Sequence, residues 1–175
     1  MKSKRLKILA LALASLILLP SVLGCGGKVN ARTLALPGEI IKTEAGVEVS
    51  PKLREAVWHF AGKTSNAVLE ASKTDENTLY SPVSLYYALA MLEAGTGGGT
   101  KAGLREFMEV SSDISLGSEF QKLYARMTFE DEYAAEQTAN SVWIKESLLS
   151  GKAVKQDWLE QLSDHFYASA FAVDF

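Results

Sequence analysis

The glycine-rich segment 95–101, which reads GTGGGTK, is the first place where residue types suggest chemistry, because glycine-rich loops can cradle phosphates. A phosphate-binding loop of this kind follows a strand and places lysine directly before serine or threonine. Here Thr100 comes before Lys101, and the preceding residues have helical spacing. The segment is therefore interpreted as a connection between two helices, in which glycine supplies positive φ angles.

Two further groups could in principle form a catalytic or metal site. Asp164 and His165 are neighbours in a segment with helical spacing, so their side chains point about 100° apart and do not face each other. The acidic run at 130–132 lacks the spaced ligands of a cation-binding loop. We therefore expect no catalytic residue, no metal site and no cofactor.

Composition narrows the classes of function further. The chain has 175 residues, of which 47% are hydrophobic and 22% charged, with a formal net charge of −3. This is ordinary globular composition and a poor basis for binding nucleic acid. The chain has one cysteine, so it cannot form a disulfide framework within itself. It has two histidines, which are few for a zinc site or for a catalytic triad of serine, histidine and aspartate. A hydrolytic enzyme is thus disfavoured.

The first 24 residues have the organisation of a targeting segment. Four basic residues open the chain, an apolar run covers residues 8–19, and Pro20 ends it. The run is shorter than the roughly 20 residues of a permanent membrane-spanning helix. Residues 22–25 read VLGC, which resembles the lipobox of bacterial lipoproteins, in which the cysteine carries lipid and becomes the mature N-terminus. We predict a signal peptide over 1–24 and lipid attachment at Cys25; the alternative is an ordinary secretory signal with a chance cysteine.

Export would change the charge of the protein. The targeting segment holds four of the 18 basic residues and no acid, which leaves 14 basic against 21 acidic residues from Cys25 onward, a net charge of −7. An anionic membrane would not attract an exported protein with this negative charge. A lipid anchor would therefore have to hold the protein to the cell envelope or cell surface, with the protein facing the extracellular side. Residues 25–49 show no sustained period and are predicted to be a lipidated flexible linker, with the folded domain over 50–175.

From residue 50 onward the hydrophobic pattern predicts an α+β fold with several helices and few strands. Helices are expected over 51–72, 82–94, from Thr100 to about 108, 118–127 and 156–167, and strands over 77–80, 137–145 and 170–175. The second helix carries a single charge, so we expect it to be buried. Its apolar stripe is predicted to comprise Leu85, Ala88, Leu89 and Leu92.

Several motifs, in order along the chain, resemble the N-terminal part of the serpin family. Residues 77–84 read NTLYSPVS, residues 88–92 read ALAML, and glycines at 95 and 98 precede TKA at 100–102. The segments ANSVW at 139–143 and VDF at 173–175 are similar to two strands of that family. The resemblance covers residues 53–175, and Gly103 departs from the pattern, which often has glutamine there.

The resemblance implies an incomplete serpin fold, with helices A–E and strands of sheets A and B. Residues 77–80 would be strand 6B, and residues 137–145 would belong to the large sheet A, followed by helix E and the edge strand of that sheet. It also implies an inhibitor rather than an enzyme. A complete serpin offers a reactive loop to a serine or cysteine protease, which is its partner, and the cleaved loop inserts into sheet A as a strand.

The same resemblance implies roles for three residues. Ser81 and Ser84 would belong to the shutter, the region beneath sheet A where its strands part, and Asn77 begins the same motif. Small hydroxyls at the buried start of a helix can satisfy backbone groups in more than one sheet arrangement. An N-cap role for Ser81 fits the spacing equally well.

The reactive loop of serpins lies beyond the VDF strand, so the resemblance implies that this chain lacks it. Exposed apolar sheet edges would follow, and with them poor solubility or a need for a complementary fragment. The leading hypothesis is the N-terminal portion of a surface-anchored serpin whose complete form inhibits a protease. The alternative is a truncated, non-inhibitory surface lipoprotein.

Overall fold

Five α-helices account for nearly half of the described chain. The computed structural model describes residues 30–40, 48–73, 75–149 and 153–174. In chain order the helices are α1 (Pro51–Ala71), α2 (Pro82–Ala94), α3 (Gly98–Phe107), α4 (Leu116–Met127) and α5 (Gln156–Asp164). Serine side chains cap α1, α2 and α4 by accepting a backbone N–H three residues on, and proline follows the cap in α1 and α2.

The strands form two small sheets. The first has the order β1 (Ala31–Ala35), β5 (Ala168–Val173), β4 (Asn140–Lys145), with β1 antiparallel and β4 parallel to β5. The second is a short hairpin of β2 (Phe129–Glu130) and β3 (Ala135–Glu136). Because parallel strands need a long crossover, β4 and β5 are joined through a 3₁₀ turn (Glu146–Leu149) and α5.

The core lies between α1, α2, α4 and the inner face of the larger sheet. Its centre is a cluster of five aromatic rings with centroids 4.5–6.2 Å apart, contributed by Phe60, Tyr86, Tyr87, Phe120 and Phe166. Edge-to-face contacts predominate, which is the geometry that aromatic pairs prefer. From Ala31 onward the described residues form one compact unit around this core.

The predicted α+β class is confirmed, but several segments differ from the sequence expectation. The helix expected over 156–167 ends at Asp164, and the hairpin of β2 and β3 was not expected. Two further segments differ in kind. Residues 31–35 form β1 within the predicted linker, because the edge of β5 offers a partner and Leu34 packs against the core. Residues 77–80 form no strand, because no described strand lies beside them. The rest of the proposed division into signal peptide, tether and domain stays a prediction, and residues 1–24 and Cys25 lie outside the described residues.

The glycine-rich segment is a helix connection, as expected, although α3 begins at Gly98 rather than at a Thr100 cap. Gly98 has a φ of +57°, the left-handed conformation that glycine tolerates best. Gly95 is needed for space, because a Cβ there would lie 2.7 Å from the indole ring of Trp158. That ring donates a 2.9 Å hydrogen bond from Nε1 to the carbonyl of Met91 and so fixes α5 against the end of α2.

None of the helices in the described part combines the length and apolar character that crossing a bilayer requires.

Candidate functional site

Ser81 and Ser84 lie together at the start of α2. The Ser81 Oγ accepts the Ser84 backbone N–H at 3.3 Å, and the two hydroxyl oxygens are 2.8 Å apart. The N-cap interpretation of Ser81 is therefore confirmed. Both side chains are exposed rather than buried, because no element in the described ranges covers this end of the helix.

Asn77 lies apart from the two serines. It is exposed on the segment that approaches α2, and among the described contacts no hydrogen bond joins it to Ser81 or Ser84. That segment is fixed instead by Tyr80, whose hydroxyl donates to Thr64 Oγ1 at 2.7 Å, while Thr64 donates to the carbonyl of Phe60. The structure thus brings together two of the three predicted shutter residues, and the shutter role itself stays a prediction.

The serines begin an uncovered face of α2. Leu85, Ala88 and Leu92 continue the face at helical spacing, and Leu85 and Leu92 are 37% and 49% exposed. We call Ser81, Ser84 and these three residues the bare face of α2. The expectation that this stripe is buried is wrong for the described chain. Only Leu89, at the margin of the stripe, packs partly against the core.

Tyrosines occupy the opposite, buried face. The Tyr86 hydroxyl donates to the carbonyl of Met108 at 3.2 Å, and the Tyr87 hydroxyl donates to the carbonyl of Phe166 at 2.8 Å. Burial raises the pKa of Tyr86 to about 12 and that of Tyr87 well above its usual range. Both hydroxyls therefore remain protonated donors at neutral pH, so they join elements and do not act as bases.

A buried ion pair fixes the end of α2. Glu93 is almost fully buried, and its Oε1 accepts a 2.6 Å hydrogen bond from Arg105 Nη1 of α3. Arg105 Nη2 also donates to the carbonyl oxygens of Ser111 and Ile114, in the segment before α4. Glu93 is the single charge that the sequence places in the second helix. Its place in an apolar helix, with a basic residue 12 positions on, is the signal that could have suggested a buried pair.

The larger sheet presents a second uncovered surface. Trp143 of β4 is 51% exposed, and its ring contacts that of Phe171 of β5 at a centroid distance of 4.6 Å and a tilt of 31°. Its Nε1 donates to Ser141 Oγ at 2.8 Å. Within the described ranges no strand pairs with the outer edge of β4, so the expected open sheet edge is confirmed there. At β5 the same expectation is wrong, because β1 pairs with that edge.

The described part shows no arrangement suited to catalysis. Asp164 Oδ1 accepts a hydrogen bond from Ser163 Oγ, and no described hydrogen bond joins it to His165, which packs against Gly117 instead. No group of three or more potential metal ligands occurs among the residues whose positions are described. The distinctive features of the described chain are therefore the bare face of α2, which is largely apolar, and the open edge of β4, whose backbone groups face no described strand. Both are surfaces of the kind that another protein segment covers.

An α+β body with an uncovered apolar helix face and an open sheet edge is a class of structure expected from part of a larger domain. The family model for "Serpin (serine protease inhibitor)" matches residues 55–175, more than two thirds of the chain. This chain therefore belongs to the serpin family, which comprises protease inhibitors and not enzymes.

Individual relatives match between about three fifths and two thirds or more of the chain. Human neuroserpin is 32% identical over 110 residues, which cover 61% of this chain and 26% of neuroserpin. Serpin-Z1 of Arabidopsis thaliana is 31% identical over 132 residues, covering 70% of this chain and 33% of the relative. Alpha-1-antitrypsin of Meriones unguiculatus is 30% identical over 112 residues, covering 62% and 27%. The chain spans about a quarter to a third of the length of these relatives.

Proposed function

We propose that this chain is the N-terminal portion of an exported, lipid-anchored serpin whose complete form inhibits a serine or cysteine protease. The protease would cleave a reactive loop outside these residues, and the loop would enter the large sheet as a new strand. Membership of the family supports the inhibitor class. The bare face of α2 is the observation that carries the proposal, because it is the surface that a further part of a serpin would cover.

The bare face differs from the scattered exposed apolar residues of any soluble protein. Leu85, Ala88 and Leu92 lie in line on one helix face, next to the hydroxyl pair of Ser81 and Ser84. Single exposed leucines are common, whereas a continuous apolar stripe marks a surface that binds another segment. The open edge of β4 adds unpaired backbone groups that an additional strand would satisfy.

The intact mass of the protein isolated from its source membrane tests the proposal. The aligned residues make up 61% of this chain and 26% of human neuroserpin, and 70% of this chain and 33% of Serpin-Z1, so these relatives are a little more than twice as long as this chain. A mass roughly twice that of this chain is therefore expected. The purified product should then form an adduct with an active serine or cysteine protease that survives SDS, and none with the same protease lacking its nucleophile. A mass equal to residues 25–175 plus lipid, without an adduct, would support the non-inhibitory surface lipoprotein instead.

The proposed shutter role of Ser84 can be separated from helix capping within this protein. Ser115 and Ser118 form the same pair at the start of α4, with hydroxyl oxygens 3.1 Å apart and Ser115 as N-cap. In the complete inhibitor, Ser84→Ala should change the ratio of two products: protease trapped as a stable adduct, and inhibitor whose reactive loop is cleaved without trapping. Ser118→Ala should change only stability. Equal behaviour of the two variants in the trapping assay would show that Ser84 has no role beyond α2 itself.

A further inference from the structure

A short N-terminal strand covers the outer edge of β5. In β1, Ala31, Arg32 and Thr33 lie opposite Val173, Ala172 and Phe171, and a bulge follows before Ala35 pairs with Ala170. Leu34 and Ala35 are partly buried against the core. Residues 31–38 therefore form a docked segment rather than a loose connection to the first helix.

Polar contacts hold both ends of this segment. Arg32 Nη2 donates to Glu146 Oε1 at 2.8 Å, in the turn after β4. At the other end, the Gly38 backbone N–H donates to the carbonyl of Ser163 in α5 at 3.1 Å. A Cβ at position 38 would lie 2.9 Å from Asp164 Oδ1, so the close approach to α5 favours glycine.

The edge beneath β1 would be a hazard if it were bare. β5 is a regular six-residue strand of sequence ASAFAV, with four residues buried and no charged side chain. An uncharged, regular, apolar strand with unpaired backbone groups is the type of edge that pairs with other chains. Two copies of β5, or β5 and a foreign β1, could meet through such an edge.

β1 has the features of a strand that ends a sheet. It has only five residues, a bulge interrupts its pairing between Thr33 and Ala35, and it carries the charged Arg32. Pro37 lies two residues beyond the end of β1 and has no backbone N–H to offer another strand. Short length, charge, bulges and proline are the features by which proteins prevent further pairing at a sheet edge.

We propose that the outer edge of β5 is a strand-acceptor site, that its occupant is residues 31–38 of the same chain, and that this segment is an edge cap which prevents β5 from pairing with a second copy of the protein. The proposal rests on the sheet alone and is independent of protease inhibition. It adds a function to a segment that the sequence marks only as a linker.

Amide hydrogen exchange in the full chain tests the edge cap. Leu34→Asp places a charge at the partly buried position of β1, whereas Leu36→Asp makes the same change two residues on, where the side chain is 61% exposed. In the wild type and in Leu36→Asp, residues 168–173 should be protected equally at low and high protein concentration. In Leu34→Asp their protection should fall at least tenfold at low concentration and return at high concentration, as a second copy pairs with the free edge.

A peptide with the sequence of residues 30–38 supplies the second arm of the test. Added to Leu34→Asp at low concentration, it should restore protection of 168–173, while a scrambled peptide should not. Protection that stays lost at every concentration and with the peptide would overturn the proposal, as would protection unchanged from the wild type. If the amides of α2 also exchange, the Leu34→Asp variant has unfolded as a whole. In that case Arg32→Glu replaces it, because this change places two acids at the exposed contact with Glu146. The protection of residues 168–173 is then measured in Arg32→Glu in the same way.

Discussion

At the scale of single residues, Arg105 is what allows the only charge of α2 to be buried. Its side chain is 16% exposed and that of Glu93 only 4%, and their contact is 2.6 Å. Removing Arg105 would leave the buried negative charge of Glu93 without its partner, which is destabilising. Lys101 Nζ, at 3.5 Å from Glu93, can offset part of the lost stabilisation. Arg105→Met should therefore lower the free energy of unfolding by about 2–4 kcal/mol, measured by urea denaturation.

The matched control for that change is Arg54→Met. Arg54 also contacts a glutamate, Glu48 at 3.5 Å, but both side chains are more than half exposed. Exposed pairs contribute about 0–1 kcal/mol, so this variant should denature close to the wild-type midpoint. Similar losses in both variants would show that the burial of Glu93 is not what makes its pair important.

Glu119 is expected to make stability depend on pH. Its Oε2 accepts the Ser50 N–H at 2.6 Å and its Oε1 accepts Lys122 Nζ at 2.7 Å. Burial alone would raise the pKa of this carboxyl, but the hydrogen bonds with Lys122 and Ser50 outweigh it and lower the pKa. A carboxyl with a lowered pKa in the folded state stabilises the fold above its unfolded pKa of about 4.3, and this contribution is lost as the pH falls through the folded value.

Glu119→Gln should therefore cost about 1–2 kcal/mol of unfolding free energy at pH 7, from the weakened charged hydrogen bonds. The difference from wild type should shrink as the pH falls through the lowered pKa of the folded wild-type carboxyl, which then takes up a proton. Urea denaturation at several pH values measures both effects. Glu70→Gln, at an exposed position of α1, is the control and should follow the wild type throughout.

At the scale of the elements, α2 should tolerate polar substitution on one face only. Leu92 is 49% exposed on the bare face, while its neighbour Met91 is 6% exposed in the core. In this chain Leu92→Gln should leave the free energy of unfolding within about 0.5 kcal/mol, whereas Met91→Gln should lower it by about 2–4 kcal/mol. A large loss from Leu92→Gln would mean that this face is already covered.

The orientation of α2 shows what periodicity can and cannot predict. The positions of the helices were largely predictable, because the serine caps and the helical spacing of apolar residues are local signals. Which side of α2 faces the core was not predictable, because Glu93 is its only charge and its apolar residues extend round the helix. Tyr86 and Tyr87 take the core side because their rings join the aromatic cluster and their hydroxyls find buried carbonyls.

The candidate site was predictable to a similar extent. The capping contact of Ser81 with Ser84 follows from their spacing before a helix, and the structure confirms it. The exposure of both serines did not follow, because it depends on which other elements cover α2. β1 was missed because five residues are too few for an alternating hydrophobic pattern to indicate a strand. Its pairing also depends on β5, which lies more than 130 positions away along the chain.

At the scale of the whole molecule, the predicted lipid on Cys25 can be distinguished from binding by charge. From Cys25 onward the protein has 14 basic and 21 acidic residues, so an anionic membrane should repel it. Wild-type protein should therefore remain with membranes in about 1 M NaCl, where electrostatic attraction is screened, and leave them only in detergent.

Cys25→Ser keeps the size of the side chain but removes the thiol that would carry lipid, and it should release the exported protein into the soluble fraction. Lys28→Gln, three residues on, should behave as the wild type. Release of the wild type by salt alone, or a Cys25→Ser protein that stays in the membrane with its mature size, would exclude a lipid anchor at this position.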